Sequence, residues 1–81
     1  MNSATVEQKI RAQLSRREIE LAVTACTRRK WELQHVAVAV GVGLVDHISA
    51  LDMVYAHDPG LLDTAIAEYD DLIGILATLL R

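Results

Sequence analysis

The sequence of 81 residues is poor in residues that interrupt or cross-link a chain. It contains one proline, four glycines and one cysteine, and it has no phenylalanine. A single cysteine excludes an internal disulfide framework, and the charged start has no apolar core of a signal peptide, so we expect a cytoplasmic protein. The longest uncharged apolar run covers only residues 36–45, whereas a membrane-spanning helix needs about 20 residues. We therefore expect no membrane partner.

The apolar material that is present is mostly aliphatic. Hydrophobic residues make up 52% of the chain and aromatic residues 4%, and aliphatic side chains suit the packing of helix on helix. A monomer of this size buries roughly 60–65% of the surface that its unfolded chain exposes, so it cannot easily cover this much apolar surface. The composition predicts one all-α domain that associates with a second copy of itself.

Two short motifs divide the chain. Ser15 and Glu18 form a capping box, with Leu14 and Ile19 as a hydrophobic staple, which predicts a helix start at Ser15. One unbroken helix through Ser15 is the alternative. Further on, Asp58-Pro59 predicts the end of one helix near residue 57 and a new helix with Asp58 as its N-cap.

The helical spacing of the apolar residues between these motifs predicts a helical hairpin. We expect a leading helix over 5–14, a long central helix over 16–57 with a possible bend near Gly41, and a final helix over 59–80. Two such hairpins would make a dimeric bundle. The predicted dimer interface comprises Leu33, Ala37, Val40, Gly41, Leu44, Leu51, Tyr69, Ile73 and Leu76.

Residues 36–45 also alternate large and small side chains, as a strand does. Valine favours strands, but no second strand candidate exists in the chain, so a sheet would require pairing between subunits. As a helix, the same segment brings small residues such as Ala37 and Gly41 onto one face, which allows close approach of a neighbouring helix.

No residue pattern predicts catalysis, a metal or a cofactor. The three histidines lie at His35, His47 and His57, twelve and ten residues apart, so no two of them share a helical turn. We expect His47 to be partly buried and the other two to lie on the surface. Cys26 is expected to be a small core residue rather than a nucleophile. We therefore expect a protein that is not an enzyme.

The charges are divided between the two halves of the chain. Residues 1–30 hold seven basic and three acidic side chains, whereas residues 31–81 hold one and eight. The predicted partner-binding residues lie in the basic half, because Trp and Arg dominate the energetics of protein interfaces. They are Arg16, Arg17, Arg28, Arg29, Lys30 and Trp31. Trp31 itself is expected to be half-buried at the edge of the core, and an interface hot spot is the alternative.

The basic segment also raises the possibility of DNA binding. Residues 14–22 resemble the opening of the helix-turn-helix domain of LuxR-type regulators, a resemblance that implies DNA binding. It covers nine residues, and the turn and recognition helix of that family are missing because residues 31–45 are largely apolar. The preferred hypothesis is a small homodimeric regulator or adaptor that binds, and modulates or inhibits, a target protein. A small DNA-binding transcriptional regulator is the alternative.

Overall fold

The computed structural model describes the backbone of residues 3–81 and the side chains of residues 5, 7–11 and 13–81. It confirms the all-α class, because residues 3–81 form four α-helices and two short 3₁₀ turns with no strand. The helices are α1 (Ser3–Gln13), α2 (Arg16–Gly41), α3 (Met53–His57) and α4 (Pro59–Leu79). The 3₁₀ turns cover Val45–His47 and Ala50–Asp52.

Both predicted N-caps are confirmed. The Ser15 hydroxyl accepts from the backbone N–H of Glu18 at 3.1 Å, and the Glu18 carboxylate accepts from the Ser15 N–H at 3.0 Å. These hydrogen bonds from Ser15 hold the pKa of Glu18 below its ordinary value. At the start of α4, the Asp58 carboxylate accepts from the Leu61 N–H at 3.1 Å, and Pro59 occupies the first helical turn. Both α2 and α4 therefore begin where their unpaired N–H groups find a side-chain acceptor.

The predicted central helix over 16–57 is wrong, because α2 ends at Gly41. Gly43 has a φ of +76°, a left-handed conformation that glycine adopts without strain. Its N–H donates to the Val40 carbonyl at 3.3 Å, and the Leu44 N–H donates to the Ala39 carbonyl at 2.8 Å. This pair of bonds is a Schellman motif, which terminates the helix by satisfying its last carbonyls. The strand alternative for residues 36–45 is also wrong, because residues 36–41 are helical and residues 42–45 form the turn that follows.

The two long helices, α2 and α4, run antiparallel and contact each other more extensively than any other pair of elements. The start of α2 meets the end of α4, where Arg16 donates to the Leu80 carbonyl at 2.8 Å. Halfway along, the Lys30 ammonium lies 2.6 Å from the Asp70 carboxylate. The core between them has two parts, of which one is formed by Ile19, Leu76 and Leu79 and the other by Leu33, Val36 and Leu62.

Helices α1 and α3 complete the two parts of the core. Ile10 and Leu14 pack against the first part, and Tyr55 packs against the second. The whole chain is elongated, with extents of 44 × 25 × 18 Å and a radius of gyration of 14.9 Å. A compact domain of this length has a radius of gyration of about 12 Å. Much of each long helix is therefore left facing outward.

Candidate protein-binding surface

Most of the basic residues predicted to bind a partner are occupied within the chain. Arg29 makes a two-pronged ion pair with Asp52, with nitrogen–oxygen distances of 2.6 and 3.3 Å, and it also contacts Glu32 at 2.8 Å. Its guanidinium lies 6.0 Å from the centre of the Tyr55 ring. Arg29 therefore fastens the segment that precedes α3 to α2.

The electrostatics of this contact are those of a strong, partly desolvated pair. Asp52 is the buried polar residue of the described chain, with 8% of its surface exposed. The hydrogen bonds from Arg29 hold the pKa of Asp52 below its ordinary value and raise the pKa of Arg29. Both groups are thus charged at neutral pH, and each would lose its partner if the segment moved away.

Three other predicted residues are also paired. Arg16 caps the end of α4 through the Leu80 carbonyl and lies 3.6 Å from Glu20. Arg17 lies 3.3 Å from the same carboxylate, and Lys30 pairs with Asp70 across the two long helices. The surface pairs with Glu20 are weak, but the bonds to α4 give Arg16 and Lys30 structural roles.

Arg28 and Trp31 differ from these neighbours. Arg28 is exposed and has no ion-pair partner among residues 3–81. Trp31 has 63% of its surface exposed, so the expectation of a half-buried tryptophan is wrong. Tryptophan and arginine are both enriched among the residues that contribute most to the binding energy of protein interfaces.

These two residues line one groove on the outer side of α2. The groove has a volume of about 330 Å³ and is lined by Val23, Thr24, Thr27, Arg28 and Trp31. A second groove of about 380 Å³ adjoins it, because Thr24 and Arg28 line both. The remaining residues of the second groove are Leu21, Ala25, Arg29 and Glu32.

Helical spacing explains why this outer face exists. Leu21, Thr24, Arg28 and Trp31 follow one another at intervals of three and four residues, which places them on one side of a helix. Leu33 and Val36 lie on the opposite side and are buried against α4. Leu21 and Thr24 were not predicted to belong to this surface, although counting back from Trp31 in steps of three and four residues would have identified them. We call the face formed by Leu21, Thr24, Arg28 and Trp31 the outer α2 face.

The predicted dimer-interface residues separate into three groups by their exposure. Leu33 and Leu76 are 0% and 3% exposed inside the chain, so in this structure they are not available to a second copy. Val40, Tyr69 and Ile73 are half-buried. The exposed members are Ala37, Gly41, Leu44 and Leu51. Most of the exposed group lies at or beyond the end of α2.

A further groove lies between α3 and α4. It has a volume of about 440 Å³ and is lined by Tyr55, Leu61, Ala65, Glu68, Tyr69 and Leu72. Glu68 is the one charged residue among these six. The groove thus offers apolar and aromatic contact area.

Two of the three histidines, His35 and His47, line one cavity of about 240 Å³ together with Glu32, Ser49 and Asp52. Among the described residues, no three His, Cys, Asp or Glu side chains are placed to hold a metal ion. Cys26 is a free thiol that packs beside Ile19 and Leu76. His47 is exposed, so the expectation of partial burial is wrong. His35 and His57 are exposed, as expected.

Within residues 3–81, none of the helices combines the length and the apolar character that crossing a bilayer requires. No protein-family model, no curated protein and no solved structure matches the sequence or the fold of this chain.

Proposed function

We propose that this chain is a small, non-enzymatic regulator or adaptor that acts as a homodimer and modulates or inhibits a target protein. The target binds the outer α2 face. The observation that carries this proposal is the 63% exposure of Trp31 beside Arg28, whose charge has no partner in the described part of the chain.

The chemistry of the outer α2 face defines the kind of target. Its apolar groups are Leu21 and Trp31, and its free charge is the guanidinium of Arg28. An amphipathic helix with an apolar anchor and an acidic residue on the same face would bury the indole and pair with the guanidinium. Such a helix would give both the exposed apolar groups and the unpaired guanidinium of this surface a partner.

The homodimer is supported by the apolar side chains that the chain leaves exposed. Val42, Leu44 and Leu51 are 63%, 51% and 88% exposed. They lie within one short segment, and clustered apolar residues on a surface are typical of an interface. The outer α2 face lies at a different part of the chain, so that a target and a second copy can bind together.

Replacement of Trp31 by alanine tests the target-binding role. Tagged wild type, Trp31→Ala and Arg28→Glu proteins would be used for affinity capture from native extract, with nuclease present. We expect one stoichiometric protein with wild type and its loss with both variants, because each variant removes one half of the recognition. Leu61→Ala is the matched control, since Leu61 is 42% exposed but lies on α4.

The fold itself must survive in these variants. Because Trp31 is exposed, Trp31→Ala should leave the helical content and the melting temperature close to those of wild type. A large loss of stability would show that Trp31 has a structural role. Capture that is abolished by nuclease, or that weakens steeply with moderate salt, would instead support the DNA-binding alternative.

A further inference from the structure

An apolar helical stripe continues past the point where α2 ends. In the sequence, Leu44, Leu51 and Val54 follow Leu33 and Val40 at the spacings of a single helix face. In the structure, Leu33 is buried and Val40 packs against the cluster around it. Leu44, Leu51 and Val54 are 51%, 88% and 55% exposed. The stripe is therefore covered before the break and open after it.

The segment between α2 and α3, residues 42–52, reverses the direction of the chain. It begins at the Schellman motif with the left-handed Gly43 and contains two 3₁₀ turns. Its last residue is Asp52, which the ion pair with Arg29 fastens to α2. We call residues 42–52 the hinge segment.

We infer that a second copy of this chain covers the open stripe by exchanging α4. This inference rests on the homodimer of the proposed function and specifies how the two copies bind. In the exchanged dimer the hinge segment becomes helical, so that α2 continues to His57 and α4 leads away from its own α2. The stripe from Val40 to Val54 of one copy then packs against the same stripe of the other.

The exchange preserves the contacts that α4 makes in one chain. In the single chain α4 runs antiparallel to α2 and covers Ile19, Leu33 and Val36. If two extended α2 helices pair antiparallel through the stripe beyond Val40, the first half of each lies beside the α4 that continues from the other. Each α4 then meets an identical surface on the second copy, which is the usual basis of domain swapping.

The surface area of the single chain agrees with a missing partner of this size. The chain exposes 5702 Å², whereas a folded monomer of its mass exposes about 4,800 Å². The difference, about 900 Å², is close to the ~800 Å² that each partner buries in a standard protein interface. An apolar stripe buried between two copies would account for surface of this extent.

The Lys30–Asp70 contact provides a direct test. Unlabelled and ¹⁵N-labelled chains would be mixed in equal amounts, unfolded, refolded and treated with a carbodiimide, which joins an amine to a carboxylate in contact. Monomer and dimer fractions would be separated by size exclusion, and the Lys30–Asp70 linked peptides analysed by mass spectrometry. In an exchanged dimer, half of these linked peptides should join one labelled peptide to one unlabelled peptide. In the monomer fraction both residues belong to one chain, so no linked peptide should combine labelled with unlabelled material.

Two glycine variants test the hinge segment. Gly43→Ala places a side chain at a φ of +76° and favours helix, so it should raise the dimer fraction several-fold and increase the helical content. Gly74→Ala is the matched control, because Gly74 lies within α4 in both arrangements and a methyl group there meets nothing within 4 Å. It should leave the dimer fraction unchanged.

The outcomes separate this inference from the proposed function. Dimers in which every Lys30–Asp70 link carries a single isotope would overturn exchange while leaving an unexchanged homodimer possible. A Gly43→Ala protein that stays monomeric would also overturn it. Loss of target capture in Trp31→Ala bears only on the proposed function, since Trp31 lies outside the stripe.

Discussion

Arg28 and Arg29 are neighbours in the sequence with opposite surroundings. The Arg29 side chain is 30% exposed and engages Asp52, Glu32 and the Tyr55 ring, whereas Arg28 is exposed and unpaired among the described residues. One step along an α-helix turns a side chain by about 100°, which is enough to move it from the α3 side of α2 to the outer side. The two arginines should therefore respond differently to mutation.

The ion pair of Arg29 with Asp52 leads to a prediction of stability. Asp52→Asn removes the charge that Arg29 faces and should lower the free energy of unfolding by about 1–3 kcal/mol, the range for a hydrogen-bonded charged group that loses its partner. Asp71→Asn is the control, because Asp71 is exposed and has no ion-pair partner in the described chain; it should change the stability little. Urea unfolding at pH 7 measures both.

The same pair should make the difference between wild type and Asp52→Asn depend on pH. The pKa of Asp52 is lowered by Arg29 in the folded chain, and an unfolded aspartate has a pKa of about 3.9. The stabilisation is thus present above the unfolded pKa and is lost as the pH falls through the lowered folded pKa. The difference should shrink at low pH, and a difference that stays constant down to acid pH would show that charge is not its cause.

At the scale of the helices, the starts were predicted from the sequence and one end was not. Ser15 and Asp58 could be identified because capping depends on a few adjacent residues. The end of α2 at Gly41 was missed because the apolar stripe continues through residues 44–54 at helical spacing. Gly43 is the type of residue that commonly follows the end of a helix, but the apolar stripe indicated a continuing helix over a longer stretch.

The candidate surface was only partly predictable for a related reason. The sequence identified Trp31 and the basic cluster around it, yet it could not show which cations are paired within the chain. Those pairs join residues far apart in sequence, such as Lys30 with Asp70 and Arg29 with Asp52. Only the packing of α3 and α4 against α2 decides that Arg28 remains free.

The capping box at Ser15 gives a prediction for α2 as an element. Ser15→Ala leaves a helix N–H without its acceptor and should lower the free energy of unfolding by about 1 kcal/mol. Thr64→Ala is a suitable control, because Thr64 is exposed within α4 and lies beyond its N-cap, Asp58. Denaturant titration should show the loss in the first variant alone. Equal stability of Ser15→Ala and wild type would show that the other hydrogen bonds hold this end of α2.

At the scale of the whole molecule, the buried core is small compared with the hydrophobic content of the sequence. Six hydrophobic residues are buried among those whose side chains the structure describes, while more than half of the sequence is hydrophobic. A chain that buries so little by itself should gain stability from association. The dimeric bundle predicted from the sequence remains a proposal, and its most direct thermodynamic consequence is a stability that depends on concentration.

We therefore expect the melting temperature to rise with protein concentration. Binding between native chains, but not between unfolded ones, stabilises the folded state by mass action. Scanning calorimetry over a hundredfold range of concentration would measure this rise, and Leu51→Ser should reduce it, because Leu51 is 88% exposed in the single chain. A melting temperature that does not change over this range would contradict a homodimer.

The bond from Arg16 to the Leu80 carbonyl also has a mechanical consequence. It places the start of α2 and the end of α4 at the same end of the molecule, with the chain reversal at the other. A pulling force applied between residues 16 and 80 would open the two helices like a zipper, one pair of contacts after another, rather than shear them along their whole length. The chain should consequently yield to such a force gradually, beginning with the part of the core formed by Ile19, Leu76 and Leu79.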